Sequence, residues 1–392
     1  MNGSSAQKRQ VYMDHAATTP THPDVLAAML PYFTQEFGNP SSLYSIGRRV
    51  RKAVEGAREQ VAAALGAAPA EIFFCAGGTE ADNWALKGAV SAHRSRGSHI
   101  ITTAIEHHAV LHTCEYLETQ GVRVTYLPVD RYGLVDPHAV EDAICDDTIM
   151  ISVMMANNEA GTIEPVGAIG TIAREHGILF HTDAVQAIGH LPIDVEAMHI
   201  DLLSLSAHKF HGPKGIGALY VRDGVAIERF VHGGAQEKRR RAGTEYTPGI
   251  IGLGAAIERA CTDIEGHAAR LRRLRDRLID GVLREVPHSA LNGHPELRLP
   301  GNASMSFAGI DGEALLLMLD AQGIYGSTGS ACSSASGEPS HVLTAMGVPP
   351  RLAGTSLRLT LGEVNTDEDV DYVLAVLPGI VERLRAMSPL SA

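Results

Sequence analysis

The chain has 392 residues, 45% of them apolar and 20% charged, and carries a formal net charge of −12. That length calls for two or three domains with sizeable cores, and the acidic balance argues against a general nucleic-acid surface, so no direct nucleic-acid partner is expected. No apolar run reaches the length of a membrane span, and the polar stretch 1–10 does not read as a secretory signal, so a cytoplasmic protein away from membranes is expected.

In chain order, residues 62–221 alternate short runs of branched and aromatic residues with amphipathic stretches. Strands are predicted over 71–75, 100–103, 122–127, 148–153, 178–181 and 201–206, with helices between them that include 80–90 and 166–176. Strands separated by helices predict an α/β fold built on a mainly parallel, doubly wound sheet. After about residue 261 the pattern changes. A helix over 268–286, apolar at Leu271, Leu274, Leu278 and Val282, opens a smaller α+β region, with its arginines expected on a solvated face. Strands over 303–307 and 355–361 and a helix from Gly312 complete it. Residues 326–340 are Gly/Ser-rich, a flexible loop by composition.

In doubly wound sheets, ligands bind beyond the C-terminal strand ends. The strand 178–181 runs into Asp183, and the strand 201–206 runs into His208 and Lys209. A carboxylate and a lysine there form either an ion pair or a pyridoxal-phosphate (PLP) site. In a PLP site the lysine amine carries the cofactor and the carboxylate keeps the ring nitrogen protonated. Lys214 is a rival lysine, but its Gly-Pro-Lys-Gly turn has no strand end to aim it. The strand 71–75 is followed by Gly77, Gly78, Thr79 and Glu80, opening a helix. Such a start favours a phosphate through free amides and the helix dipole, and it also reads as an ordinary capped helix. On one sheet edge with Asp183 and Lys209 it favours PLP.

Five cysteines, Cys75, Cys114, Cys145, Cys261 and Cys332, show no CxxC pair, which fits free thiols in a reducing compartment. Four read as small buried hydrophobes. Cys332 differs because it lies among glycines and serines, where a mobile loop would let its thiol attack and then swing away. His108 and His112, with Cys114 nearby, form a weak metal pattern. The run Lys238, Arg239, Arg240, Arg241 reads as a dimer-interface loop more economically than as an acidic-partner or RNA contact.

At this point the sequence resembles the NifS/IscS-type cysteine desulfurases of the class V aminotransferase superfamily, PLP fold type I. The matching stretches include Asp14-His15-Ala16-Ala17-Thr18-Thr19-Pro20, Gly38-Asn39-Pro40, Gly78-Thr79-Glu80, Glu106-His107, Asn157-Asn158-Glu159, Asp183 to Gln186, Ser206 to Lys209, Arg241 to Thr244, Ala331-Cys332-Ser333 and Ser356-Leu357-Arg358. The resemblance implies a seven-stranded type of sheet in a large domain, 16–262, and a small domain, 263–392, joined by segment 1–15. It implies that Lys209 holds the cofactor, Asp183 faces the ring nitrogen, and His107 stacks on the ring and moves protons. Gln186 and Asn158 would hydrogen-bond the ring substituents, and Gly78, Thr79, Ser206 and His208 would hold the phosphate. Thr244 would reach that phosphate from the other subunit of a homodimer. Arg358 and Asn39 would bind the substrate carboxylate, a role suited to arginine's planar fork.

The implied activity is removal of sulfur from L-cysteine, giving L-alanine and a Cys332 persulfide for a protein sulfur acceptor in iron–sulfur assembly or tRNA and cofactor thiolation. No resident metal is expected, although Cys332 could ligate a cluster iron transiently. A selenocysteine lyase, another class V lyase or aminotransferase, and a sulfur-relay scaffold without turnover are the alternatives. Relatives that serve an iron–sulfur scaffold often carry a C-terminal docking extension, and with this chain ending at Ala392 the acceptor stays open.

Overall fold

Alternation along the strands determines the layers. The computed structural model describes residues 9–329 and 339–387, with strands β1 Val11–Tyr12, β2 Ile72–Cys75, β3 His99–Thr103, β4 Arg123–Leu127, β5 Thr148–Ser152, β6 Leu179–Asp183, β7 Leu202–Ser206, β8 Gly217–Val221, β9 Ser289–Leu291, β10 Asn302–Phe307, β11 Ile324–Tyr325 and β12 Ser356–Thr360. Seven of them form the main sheet, in the order β2-β8-β7-β6-β5-β3-β4. Pairings among β3 to β7 are parallel, as the alternation of strands and helices predicts. The reading of 62–221 did not single out β8, which enters antiparallel between β2 and β7. Only a turn at Gly215 (φ 81°) separates it from the Lys209 loop, too short a connection for a parallel crossover.

Both faces of this sheet are covered. Phe74, Ile101, Ile151, Phe180, Leu203 and Leu205 pack on one side with Val54, Val61 and Leu65 of the helix Ser45–Leu65. Phe73, Ile100, Met150, Leu179 and Leu219 pack on the other with Ala81, Trp84 and Ala85 of the helix Gly78–His93. Neighbouring residues in one strand thus serve opposite cores, the period-two rule that makes buried parallel strands apolar throughout.

A second, antiparallel sheet runs β12-β10-β9. Its core joins Met305 and Phe307 of β10, Leu357 and Leu359 of β12, and Leu271, Leu274, Leu278 and Val282 of the helix Ile264–Glu285. Val11 and Met13 enter this same core, and β1 pairs in parallel with β11. Of the arginines around Leu271, Arg272 and Arg273 lie on the expected solvated face, whereas Arg270 is half-buried. Arg275 is buried and donates to Leu299 O at 3.1 Å, while Arg273 pairs with Asp367 and Arg270 reaches Asn365 O. The Arg273 pairing ties this helix to the start of the helix Asp367–Met387.

Among the described residues, no helix is long and apolar enough to cross a membrane. The described cysteines are free thiols. Cys75 and Cys114 are core residues as expected, whereas Cys145 is only half-buried and accepts from Arg123 Nη2 at 3.2 Å. Cys332 lies outside the described residues.

Candidate active site

Five strand ends point their C-terminal residues to one edge of the main sheet. The strands β3, β5, β6 and β7 run parallel, and β2 runs with them because β8 reverses direction between β2 and β7. The residues just beyond these ends line a cavity of about 300 Å³: Gly78 and Thr79 after β2, His107 after β3, Asn158 after β5, Asp183 and Gln186 from β6, and Ser206, His208 and Lys209 from β7. Arg358 reaches the same cavity from β12. Leu357 and Leu359 face the small sheet's core, so the strand period turns Arg358 the other way.

The segment Asp14 to Thr19 is laced across the lysine loop. Lys209 Nζ donates to Ala16 O at 2.6 Å and Ala17 O at 2.9 Å, and Gln186 Nε2 donates to Ala16 O at 3.0 Å. Thr19 N donates to His208 O at 2.9 Å, and the hydroxyl of Thr18 lies 3.1 Å from His208 Nδ1. The lysine that the strand end aims is thereby held by backbone carbonyls 193 and 192 residues earlier in sequence. Lys214 is exposed on the rim.

Asp183 is buried, and its Oδ1 accepts the Val185 N–H at 2.9 Å. Burial raises its carboxyl to about 6, against that hydrogen bond and the Lys209 charge, which both favour the anion. His107 caps the helix His108–Thr119, with Nδ1 accepting from Ala109 N at 3.1 Å. Its proton therefore sits on Nε2. Burial, then the Lys209 charge, lowers its basicity to about 4, so it is a neutral ring.

The helix Gly78–His93 begins without a side-chain cap. Gly77 has φ 151°, and a Cβ on Gly78 would meet Val185 Cγ2 at 2.6 Å. Both glycines are thus required for the backbone to lie this close to the β6 end, which leaves the first amides of the helix facing the cavity rim where Ser206 and His208 also lie. Arg241 locks the turn through Glu80, at 2.8 Å from Nε to Oε1.

Arg358 is 2% exposed. Its Nη1 donates to Asn158 O at 2.9 Å and Gly329 O at 2.8 Å, and its Nη2 donates to Asp14 Oδ1 at 2.8 Å. Its Nε is buried without a partner. Asn39 is not brought to this cavity within one chain; it is exposed, and its Oδ1 accepts from Ser41 N at 2.8 Å, a local turn that short-range geometry satisfies. Thr244 is exposed on a separate pocket beside Arg241. His112 is exposed and Cys114 is in the core, so this metal pattern does not assemble. The basic run folds back onto its own chain: Lys238 donates to Ala70 O, and Arg240 lies over the Phe73 ring.

Asp82 is a cavity residue that strand-end reasoning missed, and Asp14 bears on the cavity through its pairing with Arg358. Asp82 lies one turn into a helix, with no strand end or glycine beside it to draw notice.

A mainly parallel sheet with a lysine, a carboxylate and an open helix start on one edge defines a fold-type I α/β enzyme scaffold. Residues 11–373 match the family described as Aminotransferase class-V, and the chain belongs to that family. It is 60% identical over 387 residues to a protein named Cysteine desulfurase IscS from Methanosarcina thermophila, covering 99% of this chain and 96% of that one. A solved structure named NIFS-like protein superposes with a TM-score of 0.91 at 40% identity, covering 96% of this chain and 100% of that one. A structure described as SspA in complex with cysteine superposes with a TM-score of 0.80 at 38% identity, covering 90% and 99%. Within its family the chain groups with the cysteine desulfurases, and it is an enzyme of that group.

Proposed function

We propose that the chain takes sulfur from L-cysteine with PLP as cofactor, producing L-alanine and a persulfide on Cys332. One observation carries this reading: Lys209, Asp183, His107, Arg358 and the open start of the helix Gly78–His93 face a single cavity. The cysteine in the complex named above supports the choice of substrate.

The residues fit PLP. Lys209 would hold it, Asp183 would face the ring nitrogen, and Gly78, Thr79, Ser206 and His208 would hold the phosphate, with Thr244 added from the partner of a homodimer. Asn158 and Gln186 would bind the ring substituents. When bound, the cofactor supplies an electron sink for the substrate's α-carbon. The Arg358 guanidinium, which lines the cavity, would bind the substrate carboxylate. Lys209 Nζ, which lines the cavity, would take the substrate's α-proton. The neutral His107, with its proton on Nε2, is suited to proton transfer over the ring. The Cys332 thiolate then attacks the substrate sulfur: the S–S bond forms, the Cβ–S bond breaks, and its electron pair stays with the carbon skeleton, which is protonated to alanine.

The division into domains at 15, 262 and 263 is part of the same reading. It is supported by β1 pairing with β11 and by separate cores for the two sheets. A cytoplasmic location is supported by the free thiols. The persulfide would pass to a protein sulfur acceptor in iron–sulfur assembly or thiolation, Cys332 touching a cluster iron only in transit. Incubation of the PLP-loaded protein with L-cysteine tests the reading. Stoichiometric alanine and a persulfide on the Cys332 peptide are expected, and pyruvate or a keto acid without persulfide would refute it.

A further inference from the structure

We propose that Asp82 is a positioning residue, a neutral carboxylic acid behind Asp183 that leaves Asp183 as the single anion facing the ring nitrogen. This deepens the reading above and rests on it.

Asp82 lies one turn into the helix Gly78–His93, is 1% exposed and lines the cavity. Its carboxylate, a carboxylate oxygen of Asp183 and a ring nitrogen of His107 all lie within 4.8 Å of one another. Two carboxylates this close in a dry site do not both ionise, because each charge destabilises the other. The surroundings decide which one keeps the proton.

Asp183 accepts the Val185 N–H and feels the charge of Lys209. Asp82 has Oδ1 buried with no hydrogen-bond partner. The Ser204 side chain hydrogen-bonds its carboxyl and favours the anion, but burial and then the Asp183 charge outweigh that bond. Its nearest basic group is His181, whose Nε2 is 3.6 Å from Oδ1, beyond hydrogen-bond reach. Both nitrogens of that ring are engaged with Ser152 and Ser204, and burial keeps it neutral, down at about 3. His107 is neutral as well. The anion is therefore stabilised at Asp183 and the proton at Asp82, and burial pushes the Asp82 carboxyl well above the usual range. A cationic ring nitrogen beside Asp183 strengthens the same division. The unpartnered Oδ1, 3.6 Å from the neutral His181 ring, has no donor to stabilise an anion there.

The test uses wild type, Asp82→Asn and Asp82→Ala, each purified with and without PLP. Infrared spectra at pH 8 of protein labelled with [4-¹³C]aspartate isolate aspartic acid from the buried Glu106 and Glu164. A protonated aspartic carbonyl band is expected in wild type and should vanish in Asp82→Asn. In the PLP-loaded proteins, the titration midpoint of the visible absorbance in Asp82→Asn should stay within about 0.5 unit of wild type, since asparagine reproduces the neutral acid. Asp82→Ala should release PLP about tenfold more readily, with asparagine restoring retention. An absent aspartic acid band, a larger shift in Asp82→Asn, or unchanged retention in Asp82→Ala each overturns the proposal. Should either variant fail to fold, the labelled wild-type band decides alone. A wild type that binds no PLP would instead refute the functional reading, while leaving the cofactor-free infrared result to stand on its own.

Discussion

Arg358 Nη2 donates to Asp14 Oδ1 at 2.8 Å, tying a strand of the small sheet to the N-terminal segment that also covers Lys209. The buried guanidinium is thus neutralised before any substrate arrives, which avoids the cost of an isolated buried charge. Its Nε is buried without a partner, while both Nη atoms are engaged.

Arg358→Lys should therefore keep a charge but lose the fork. The KM for cysteine is expected to rise at least tenfold, the equivalent of about 1.4 kcal/mol or more for a charged hydrogen bond. Steady-state alanine formation measures it, and an unchanged KM would place the substrate carboxylate elsewhere.

Cys332→Ser should retain the visible absorbance of the lysine-bound cofactor and release no alanine from cysteine. Lys209→Ala should lose that absorbance. Borohydride reduction followed by peptide mapping checks both, because the reduced cofactor should appear on the Lys209 peptide in Cys332→Ser and on no other lysine.

Gly78→Ala places a methyl 2.6 Å from Val185 Cγ2, where either the side chain or the helix start must shift. The first amides then move off the phosphate position, and PLP retention on dialysis should fall about tenfold, the effect of losing one charged hydrogen bond. Inorganic phosphate, which competes for the same amides, should hasten PLP loss less in this variant than in wild type.

The buried acids and bases predict a pH optimum for stability. Burial pushes Glu106 and Glu164 up to about 8, so the native state holds protons that the unfolded chain has lost above about 4.5. Their contribution is complete at low pH and is lost as pH rises through 8. Burial holds His15 and His190 down at about 4 and His181 at about 3, against 6.5 unfolded. Their contribution is complete above 6.5 and is lost as pH falls through 4. Above pH 6.5 only the carboxyl slope remains, about 1.4 kcal/mol per pH unit for each buried glutamate. The Tm should peak near pH 6.5 and decline toward 8, and Glu164→Gln should flatten that decline. A wild-type plateau between pH 6.5 and 8 would contradict it.

Much of the site was legible because its signals are local. The Gly-Gly-Thr-Glu helix start, the aspartate ending one strand and the lysine following the next each occupy a few consecutive residues, and parallel topology brings such ends to one edge. The unread parts depend on distant partners. Arg358 meets Asp14 across 344 residues, and Arg58 meets the buried Glu237 across 179, at 2.8 and 2.9 Å. That second pair pins the turn containing Lys238 and Arg239, both with positive φ, so the run that the sequence reads as a dimer-interface loop is anchored to its own sheet.

By itself, the sequence determined the α/β class, the strand ends and the Lys209–Asp183 pair, since propensity and period act over neighbouring residues. Only the tertiary structure decided that β8 turns back between β2 and β7, and that the buried Asp82 comes within 4.8 Å of Asp183 and His107. Those outcomes depend on burial, and burial is set by the chain as a whole: the same aspartate is an ordinary helix residue in water and a proton-bearing acid beside a second buried carboxylate.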